Sequence, residues 1–325
     1  MRRSRCSLAA GLALVFGSPL AAQTTNDVIA AGAAFLLFPV GGRAAALGQT
    51  GAASRGSAEA AFWNPAGLAT LERNEVALHH ASTFVSENTA LSGYIASRRL
   101  GVVGLAGYLV DYGTQEITRG PGQVTGRISL KNLEMLASSA TEITGSLTFG
   151  LNYKLIQFRH ECSGDCGVFP SVAGTTHGLD VGMQYGFGAK EALRLGAAVQ
   201  HAGFPLQLEN RDQADPLPTR VQFGASYETA LPPVEGAEPA RVRVLMDVQE
   251  PWGRYTNPDL RIGAELSYGE TIQLRGGYAW LHSESSGASL GAGLRLGRVL
   301  LDFARLFYAS GTFDEPVHLS LSVLL

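Results

Sequence analysis

The feature that most constrains this chain is a two-residue alternation of apolar and polar positions that returns in about fourteen segments. In the segment TIQLRGGYAWL, Ile272 and Leu274 fall on one face, whereas Arg275 and Gly277 fall on the other. Successive side chains of a β-strand point to opposite faces, so each segment is predicted to be a strand with one apolar side. The segments begin near residues 75, 88, 101, 132, 145, 176, 191, 218, 240, 259, 270, 287, 298 and 316. The chain is therefore predicted to be all-β and antiparallel.

A soluble β-sandwich also alternates, so the chemistry of the second face decides between a sandwich and a barrel. That face carries Gly, Ser, Gln and isolated charges, and charged residues make up only 16% of the chain. Ordinary soluble domains contain about 25%. The net charge of −3 also excludes an electrostatic nucleic-acid binder. This composition favours a barrel whose lumen holds the polar face, including Asp180, Arg194, Asp247, Arg275, Arg295 and Asp302.

The connections between segments alternate between long and short. The long ones span residues 113–131, 159–175, 202–217 and 251–258, and the short ones lie at 98–100, around 144, at 269–270 and at 297. One inward connection, residues 231–240, is longer than this pattern allows. Outer-membrane barrels have short periplasmic turns and longer extracellular loops. We therefore expect residues 75–325 to form a transmembrane barrel of about 14 strands.

The N-terminus has the pattern of a secretory signal peptide over residues 1–22. Arg2, Arg3 and Arg5 precede an apolar stretch from about Leu8, and small residues end at Ala22. A buried helix is the other interpretation, but it would pack three arginines together at its start. Export and a barrel together predict the outer membrane of a Gram-negative-type bacterium, with its lipid as one partner.

Cys162 and Cys166, the two cysteines outside the signal peptide, are separated by three residues. In an exported chain such a pair predicts a disulfide across the tip of an outer loop. A metal site with His160 and Asp165 is the rival interpretation, which an oxidising compartment disfavours. No metal and no cofactor are predicted.

Residues 23–74 do not alternate, and their central part is dominated by Ala and Gly. Within it, WNPAG has the composition of a turn, because Pro fixes φ, Asn caps its own backbone and Gly accepts a positive φ. From the residues alone we expect a compact plug of small side chains that needs no ligand.

The segment AFLLFPVGGRAAALGQTGAA followed by WNPAGLA resembles the N-terminal signature of PorV/PorQ-like outer-membrane proteins, which belong with the FadL-like long-chain fatty acid transporters. The resemblance continues through THGLDVGMQY, PLPTRVQFGASY and GASLGAGLRLG to LLDFARLF. It implies a fourteen-stranded barrel with an N-terminal hatch in the lumen, whose motif comprises Trp63, Asn64, Pro65, Ala66 and Gly67. The chain departs from this family in ending on Leu325, where an aromatic residue is expected.

We expect no catalytic site, and the protein is predicted not to be an enzyme. The G-x-S-x-G pattern occurs once, as GASLG at residues 287–291, but it lies at the start of a predicted strand, whereas a lipase-like site needs it on a sharp turn between a strand and a helix. His79 and His80 are adjacent on a strand, so they point to opposite faces. The remaining strand-end histidines are expected to lie in water; they are His177, His201, His282 and His318.

The resemblance implies capture of a hydrophobic small molecule at the extracellular end and passage past the hatch. The predicted ligand-binding residues are Phe204, Pro205, Leu206 and Leu208 in GFPLQL, together with Phe169 beside the cysteines. The alternative is a type IX secretion system component that binds cargo or partner proteins at the cell surface, and a third possibility is a closed structural barrel. An apolar, ligand-sized tunnel from GFPLQL into the lumen would favour transport, and a sealed lumen would favour protein binding.

Overall fold

A computed structural model describes residues 32–97, 99–120, 122–167, 171–188, 191–208, 214–232, 238–253, 256–282, 286–308 and 315–325. The predicted signal peptide at residues 1–22 lies outside these described residues. Fourteen strands form a closed barrel in which each strand pairs antiparallel with its neighbours in sequence and the first pairs with the last. The predicted fold class is thereby confirmed. The strands are β1 Glu75–Ser82, β2 Glu87–Ser97, β3 Gly101–Thr118, β4 Val124–Thr144, β5 Leu147–Gly164, β6 Val172–Phe187, β7 Leu193–Gly203, β8 Arg220–Ala230, β9 Ala240–Pro251, β10 Asp259–Tyr268, β11 Ile272–Trp280, β12 Gly287–Leu296, β13 Val299–Tyr308 and β14 Val317–Leu324.

Strands β3 to β6 are longer than the sequence predicts. β3 continues to Thr118 and β4 starts at Val124, so most of the predicted connection at 113–131 is a hairpin. β5 likewise continues to Gly164, into the predicted connection at 159–175. Beyond the apolar band both faces of a strand meet water, and the alternation that marks a strand is lost. We call the end of the barrel at which β1 finishes the outer end. On one side of the barrel, strands β3 to β6 extend beyond their neighbours at this end and form a tall wall.

The outer face of the barrel carries large exposed apolar side chains on every strand. Leu105, Phe223 and Leu290, on three different strands, are 67%, 58% and 59% exposed. Large exposed apolar side chains alternate with buried polar ones, as on β11, where Ile272 and Leu274 are exposed and Arg275 is buried. An apolar exterior over a closed sheet is the surface that a bilayer requires.

The inner face is polar, as the alternation predicts. Asp180, Arg194, Asp247 and Arg275 are all buried inside the barrel. The prediction of strand-end histidines in water is wrong for His201 and His318, which are 5% and 2% exposed. Both point inward, where the N-terminal segment fills the lumen and excludes water.

Residues 32–74, which we call the hatch, run through the barrel from one end to the other. The amide of Gly32 donates to Pro216 O in the β7–β8 connection at the outer end, while Asn74 O accepts from Leu325 at the inner end. Between them lie α1 (Gly42–Ala46) and three short 3₁₀ helices, at Ala34–Leu37, Ala58–Phe62 and Pro65–Thr70. None of the helices in the described part of the chain is long and apolar enough to cross a membrane.

Candidate functional site in the barrel lumen

The backbone of the hatch lies directly against the inner surface of the barrel strands, here called the barrel wall, because these strands present glycines to it. A Cβ built on Gly196 would stand 1.9 Å from Ala52 O, and one on Gly277 would stand 2.1 Å from Gly48 N. Glycine is the residue that permits such close approach of two backbones. The wall glycines in contact with the hatch, here called the glycine row, are Gly150, Gly182, Gly196, Gly224, Gly263, Gly277 and Gly291.

The WNPAG turn lies at the centre of this contact. The side-chain amide of Asn64 donates to Ala52 O at 2.6 Å and to Met183 O and Ala197 O, both at 3.3 Å. Its Oδ1 accepts the amide of Ala66 at 3.1 Å, which caps the helix Pro65–Thr70. One buried side chain therefore ties the hatch turn to itself and to strands β6 and β7.

The other residues of the turn also lie inside the lumen. The indole of Trp63 donates to Val40 O at 2.9 Å, and Pro65 opens the helix at a position where no amide hydrogen is needed. Ala66 is fully buried. A Cβ on Gly67 would lie 2.4 Å from Ser54 O, so only glycine fits there.

Polar side chains of the wall bind the hatch backbone. Gln184 donates to Ala52 O and Ser54 O at 3.0 and 2.8 Å, and Gln200 donates to Phe62 O and Trp63 O at 3.0 and 2.8 Å. Asp247 accepts the amides of Gly51 and Ala52 at 2.6 and 2.9 Å. The sequence predicted no role for Gln184 and Gln200. Their place on the polar face of alternating strands was the only available signal.

A buried ionic cluster stands beside the hatch. The ammonium of Lys154 contacts Glu134 at 2.8 Å, Asp180 at 2.9 Å and Nδ1 of His201 at 3.0 Å. His201 has a positive φ of 57° and sits where the β6–β7 register shifts, so a β-bulge turns its ring into the lumen. Since an ammonium only donates, His201 accepts through Nδ1 and is neutral.

An apolar surface faces the outer end. Leu37 and Phe38 of the hatch are half-buried there, and the Phe38 ring lies 6.5 Å from that of Tyr112 on β3. Like Phe38 and Tyr112, Phe158 of β5 and Leu208 of the β7–β8 connection pack against a cluster of buried apolar residues in the lumen. We call these five residues the outer apolar surface.

The predicted ligand residues of GFPLQL divide into two groups. Leu206 is buried, with its backbone paired to Asp215, and Leu208 belongs to the outer apolar surface. Phe204 is 72% exposed and Pro205 is exposed as well. Phe169 lies outside the described residues. The structure thus brings Leu206 and Leu208 to the hatch and leaves Phe204 and Pro205 in solvent.

Below the outer apolar surface the lumen is filled. Phe35, Leu36, Phe62 and Tyr108 pack there with strand residues such as Ile156 in one buried cluster. The cavity left beside this cluster measures about 30 Å³, whereas ligand pockets measure roughly 300–1,000 Å³. No ligand-sized tunnel therefore joins GFPLQL to the inner end through the described residues.

The inner end opens into a chamber of about 930 Å³ with charged walls. Two hatch arginines bind the wall here: Arg43 contacts Glu265 at 3.4 Å and Arg55 contacts Glu191 at 3.1 Å. Arg275 adds a second contact to Glu265 at 2.7 Å. The hatch is thus held by apolar packing at its outer side and by ion pairs at its inner side.

Cys162 and Cys166 are joined by a disulfide, with their Cα atoms 6.1 Å apart. Cys162 lies within β5, so the disulfide spans the end of a strand and not the tip of a loop. The described residues contain no group of three or more His, Cys, Asp or Glu able to hold a metal ion. The disulfide leaves the rival metal site of His160 and Asp165 without its thiolates.

Fourteen antiparallel strands, an apolar exterior and a hatch in the lumen define a plugged transmembrane β-barrel. The chain belongs to a family described as "Uncharacterised protein family (UPF0164)", whose sequence profile matches residues 16–212. A search of curated proteins finds none that matches.

Solved structures with the same fold include transport proteins. The toluene transporter TbuX of Ralstonia pickettii is 16% identical with a TM-score of 0.57, over 87% of this chain and 97% of that one. The toluene transporter TodX of Pseudomonas putida is 12% identical with a TM-score of 0.56, over 87% and 97% of the two chains. The monoaromatic hydrocarbon channel CymD is 14% identical with a TM-score of 0.58, over 88% and 97%. At these identities the similarity shows the fold alone.

Proposed function

We propose that this protein is an outer-membrane barrel of the PorV/PorQ type that admits hydrophobic small molecules from outside the cell. The outer apolar surface is the observation that carries this proposal, because it presents Phe38 and Leu208 at the outer mouth of the lumen. Transport proteins for toluene and other monoaromatic hydrocarbons share the fold. The proposed organisation is a signal peptide at 1–22, the extension and hatch at 23–74 and the barrel at 75–325.

In this proposal the hydrophobic molecule binds first on the outer apolar surface. Burial of apolar area contributes about 25 cal/mol per Å², which suits a ligand that lacks directional polar groups. Because the lumen is filled around Phe35 and Leu36, this packed segment must move before a molecule passes. The inner chamber then favours release, because charged side chains make up most of its lining.

The sealed lumen favours a second candidate, a type IX secretion system component that binds cargo or partner proteins at the cell surface. A protein partner needs no tunnel, and the tall wall of β3 to β6 offers it a surface at the outer end. Both candidate functions can use the tall wall of β3 to β6 and the outer apolar surface.

Uptake into proteoliposomes tests the first candidate. The purified barrel is reconstituted, and entry of a labelled monoaromatic hydrocarbon and of a labelled fatty acid is timed. We expect Phe38→Asp to slow entry at least about tenfold, since a charge on the capture surface removes about 1.4 kcal/mol or more of binding. Phe204→Asp is the matched control, because Phe204 is 72% exposed and apart from the cluster.

Equal rates in protein-free and protein-containing vesicles would reject transport. The second candidate is then tested in cells that lack the gene, by measuring secreted and surface-attached proteins. Loss of such proteins on gene deletion, with rescue by the wild-type chain and not by a variant of the outer apolar surface, would support protein binding.

A further inference from the structure

A second, smaller cavity lies where the sheet closes on itself. It measures about 10 Å³ and lies between the hatch at Pro39 to Gly41 and strands β1, β2, β3 and β14. Such a volume holds about one water-sized particle. Four polar side chains from four strands line it, and none is more than 4% exposed: His79, Asn88, Tyr108 and His318.

Each of these four side chains has an atom without a hydrogen-bond partner among the described residues. The atoms are Nε2 of His79, Nε2 of His318, Nδ2 of Asn88 and Oη of Tyr108. Buried polar atoms are nearly always satisfied in folded proteins, so each exception requires an explanation. Four exceptions around one particle-sized cavity indicate a bound species that satisfies them together.

The hydrogen bonds behind His79 set which atom faces the cavity. Its Nδ1 lies 2.8 Å from Oγ of Ser320, and that same oxygen accepts the amide of Gly42 at 2.8 Å. With the proton on Nδ1, the ring donates to Ser320 and turns the Nε2 lone pair toward the cavity. Metal-binding histidines are oriented in this way by an oxygen that accepts from the other ring nitrogen.

The two histidines are diagonal neighbours across the seam of the barrel. In the β1–β14 register His79 lies opposite Ser320, and His318 lies opposite Ala81. Diagonal residues on one face of an antiparallel pair are about 7–8 Å apart at Cα, within reach of two imidazoles converging on one ion. Imidazole nitrogens suit Zn²⁺, Cu²⁺ and Ni²⁺, and a mixed set of nitrogen and oxygen ligands is typical of Cu²⁺ and Ni²⁺.

Tyr108 and Asn88 can provide the oxygen ligands. The Asn88 amide is held by Ser86, whose hydroxyl lies 2.8 Å from Oδ1. A hydroxyl also accepts, so the amide can turn over and present its oxygen to the cavity. Asp302, which lies opposite Ser320 on β13, adds a negative charge one strand away.

We propose that this cavity binds one divalent transition-metal ion through His79 and His318, with Tyr108 and Asn88 completing its coordination. The ion would link β1 to β14, the first and last strands, and hold the hatch segment at Pro39 to Gly41 against them. This proposal does not depend on the transport or secretion role.

The wild-type protein is the first test. The barrel is prepared in detergent with a tag that contains no histidine, stripped with EDTA, and titrated with Zn²⁺ or Cu²⁺ alone. We expect one equivalent to bind saturably, and the electron paramagnetic resonance spectrum of bound Cu²⁺ to show two imidazole nitrogens. Absence of saturable binding, or a spectrum without imidazole nitrogen, would overturn the proposal whatever the variants do.

His318→Gln and His80→Gln are the paired variants. His80, the neighbour of His79 on β1, also borders the cavity, but its side chain is 46% exposed on the outer face, where it contacts Thr89 and Glu87. We expect His318→Gln to weaken metal binding about 100-fold or more and His80→Gln to leave it unchanged, with heat-modifiable migration of both as the check on folding. Retention of binding in His318→Gln, or its loss in His80→Gln alone, would contradict the site.

Discussion

Among single residues, Asn64 shows how one side chain can position a segment inside a barrel. It is 0% exposed, and its amide and carbonyl together bond to four backbone groups. Alanine would leave Met183 O and Ala197 O without this donor and remove the cap of the following helix. Each such loss costs about 1–3 kcal/mol when the group stays buried.

We therefore expect Asn64→Ala to loosen the hatch while the barrel stays folded. Amide hydrogen exchange of residues 41–70 should accelerate at least about tenfold, which corresponds to about 1.4 kcal/mol. Asn257→Ala is the control, because Asn257 is exposed in the β9–β10 connection. Unchanged exchange in Asn64→Ala would show that the glycine row alone holds the hatch.

Glu59 gives the hatch a dependence on pH. Burial raises the pKa of this carboxyl to about 7; the carboxylate of Asp302 also raises it, while the amide of Ala44 and the guanidinium groups of Arg43 and Arg275 oppose the rise. The ordinary pKa is 4.5. Between pH 4.5 and 7 the folded state therefore binds a proton that the unfolded state has lost. The stabilisation of the folded state by this proton is complete below pH 4.5 and disappears as pH rises through 7. The shift corresponds to roughly 3 kcal/mol.

The fluorescence of Trp63, in a background where the other two tryptophans are Phe, reports release of the hatch by guanidinium. In the parent protein we expect the guanidinium concentration at the midpoint of this release to be higher at pH 5 than at pH 8. In Glu59→Gln we expect the two midpoint concentrations to be equal. Glu72→Gln, at the exposed end of the same segment, should keep the pH dependence of the parent. A parent midpoint that does not change with pH would contradict this account of Glu59.

At the scale of elements, the glycine row determines how closely hatch and strands approach. Gly196→Ala places a Cβ 1.9 Å from Ala52 O, a distance that backbone atoms must move to relieve. We expect Gly196→Ala to displace the hatch and raise single-channel conductance in planar bilayers. Gly107→Ala is the control on β3, since a Cβ there meets no atom within 4 Å. Equal conductance of the two variants would show that the wall tolerates a methyl group at this position.

The sequence alone predicted strands wherever one face meets lipid, because alternation is then enforced residue by residue. It failed for the outer parts of β3, β4 and β5, where water on both faces removes that constraint. It also missed the bulge at His201, since a one-residue insertion in a strand leaves no compositional mark. Which wall glycines touch the hatch depends on the register between two distant segments, and periodicity within either segment does not encode it.

At the scale of the whole molecule, the lumen has two unlike ends. The outer end is apolar and closed by packed side chains around Phe35, whereas the inner end is a charged chamber in which Arg43 and Arg55 bind the wall. The sequence predicted GFPLQL to be a surface segment, because its apolar residues lie in a long connection between two strands. That Leu206 would instead pack under the start of the hatch was not, because the contact joins residues far apart in the chain.

The exterior of the barrel provides the most direct test of the whole arrangement. Leu105 on β3 is 67% exposed in the apolar band, and Leu100 is 70% exposed in the short β2–β3 turn at the inner end. In water the two would be equivalent, but arginine facing lipid near the bilayer midplane costs about 2–4 kcal/mol and near the interface about 0–1 kcal/mol.

We therefore expect Leu105→Arg to lower the free energy of unfolding in lipid vesicles by about 2–4 kcal/mol and Leu100→Arg to change it by less than about 1 kcal/mol. Equilibrium unfolding in denaturant, followed by heat-modifiable migration, measures both. The same pair compared in detergent micelles should differ less, because a micelle deforms more easily around a charge than a bilayer does. Equal losses for the two variants in vesicles would mean that the apolar face of β3 does not lie in the membrane, and the lipid-facing exterior would have to be reassigned to contact with another protein.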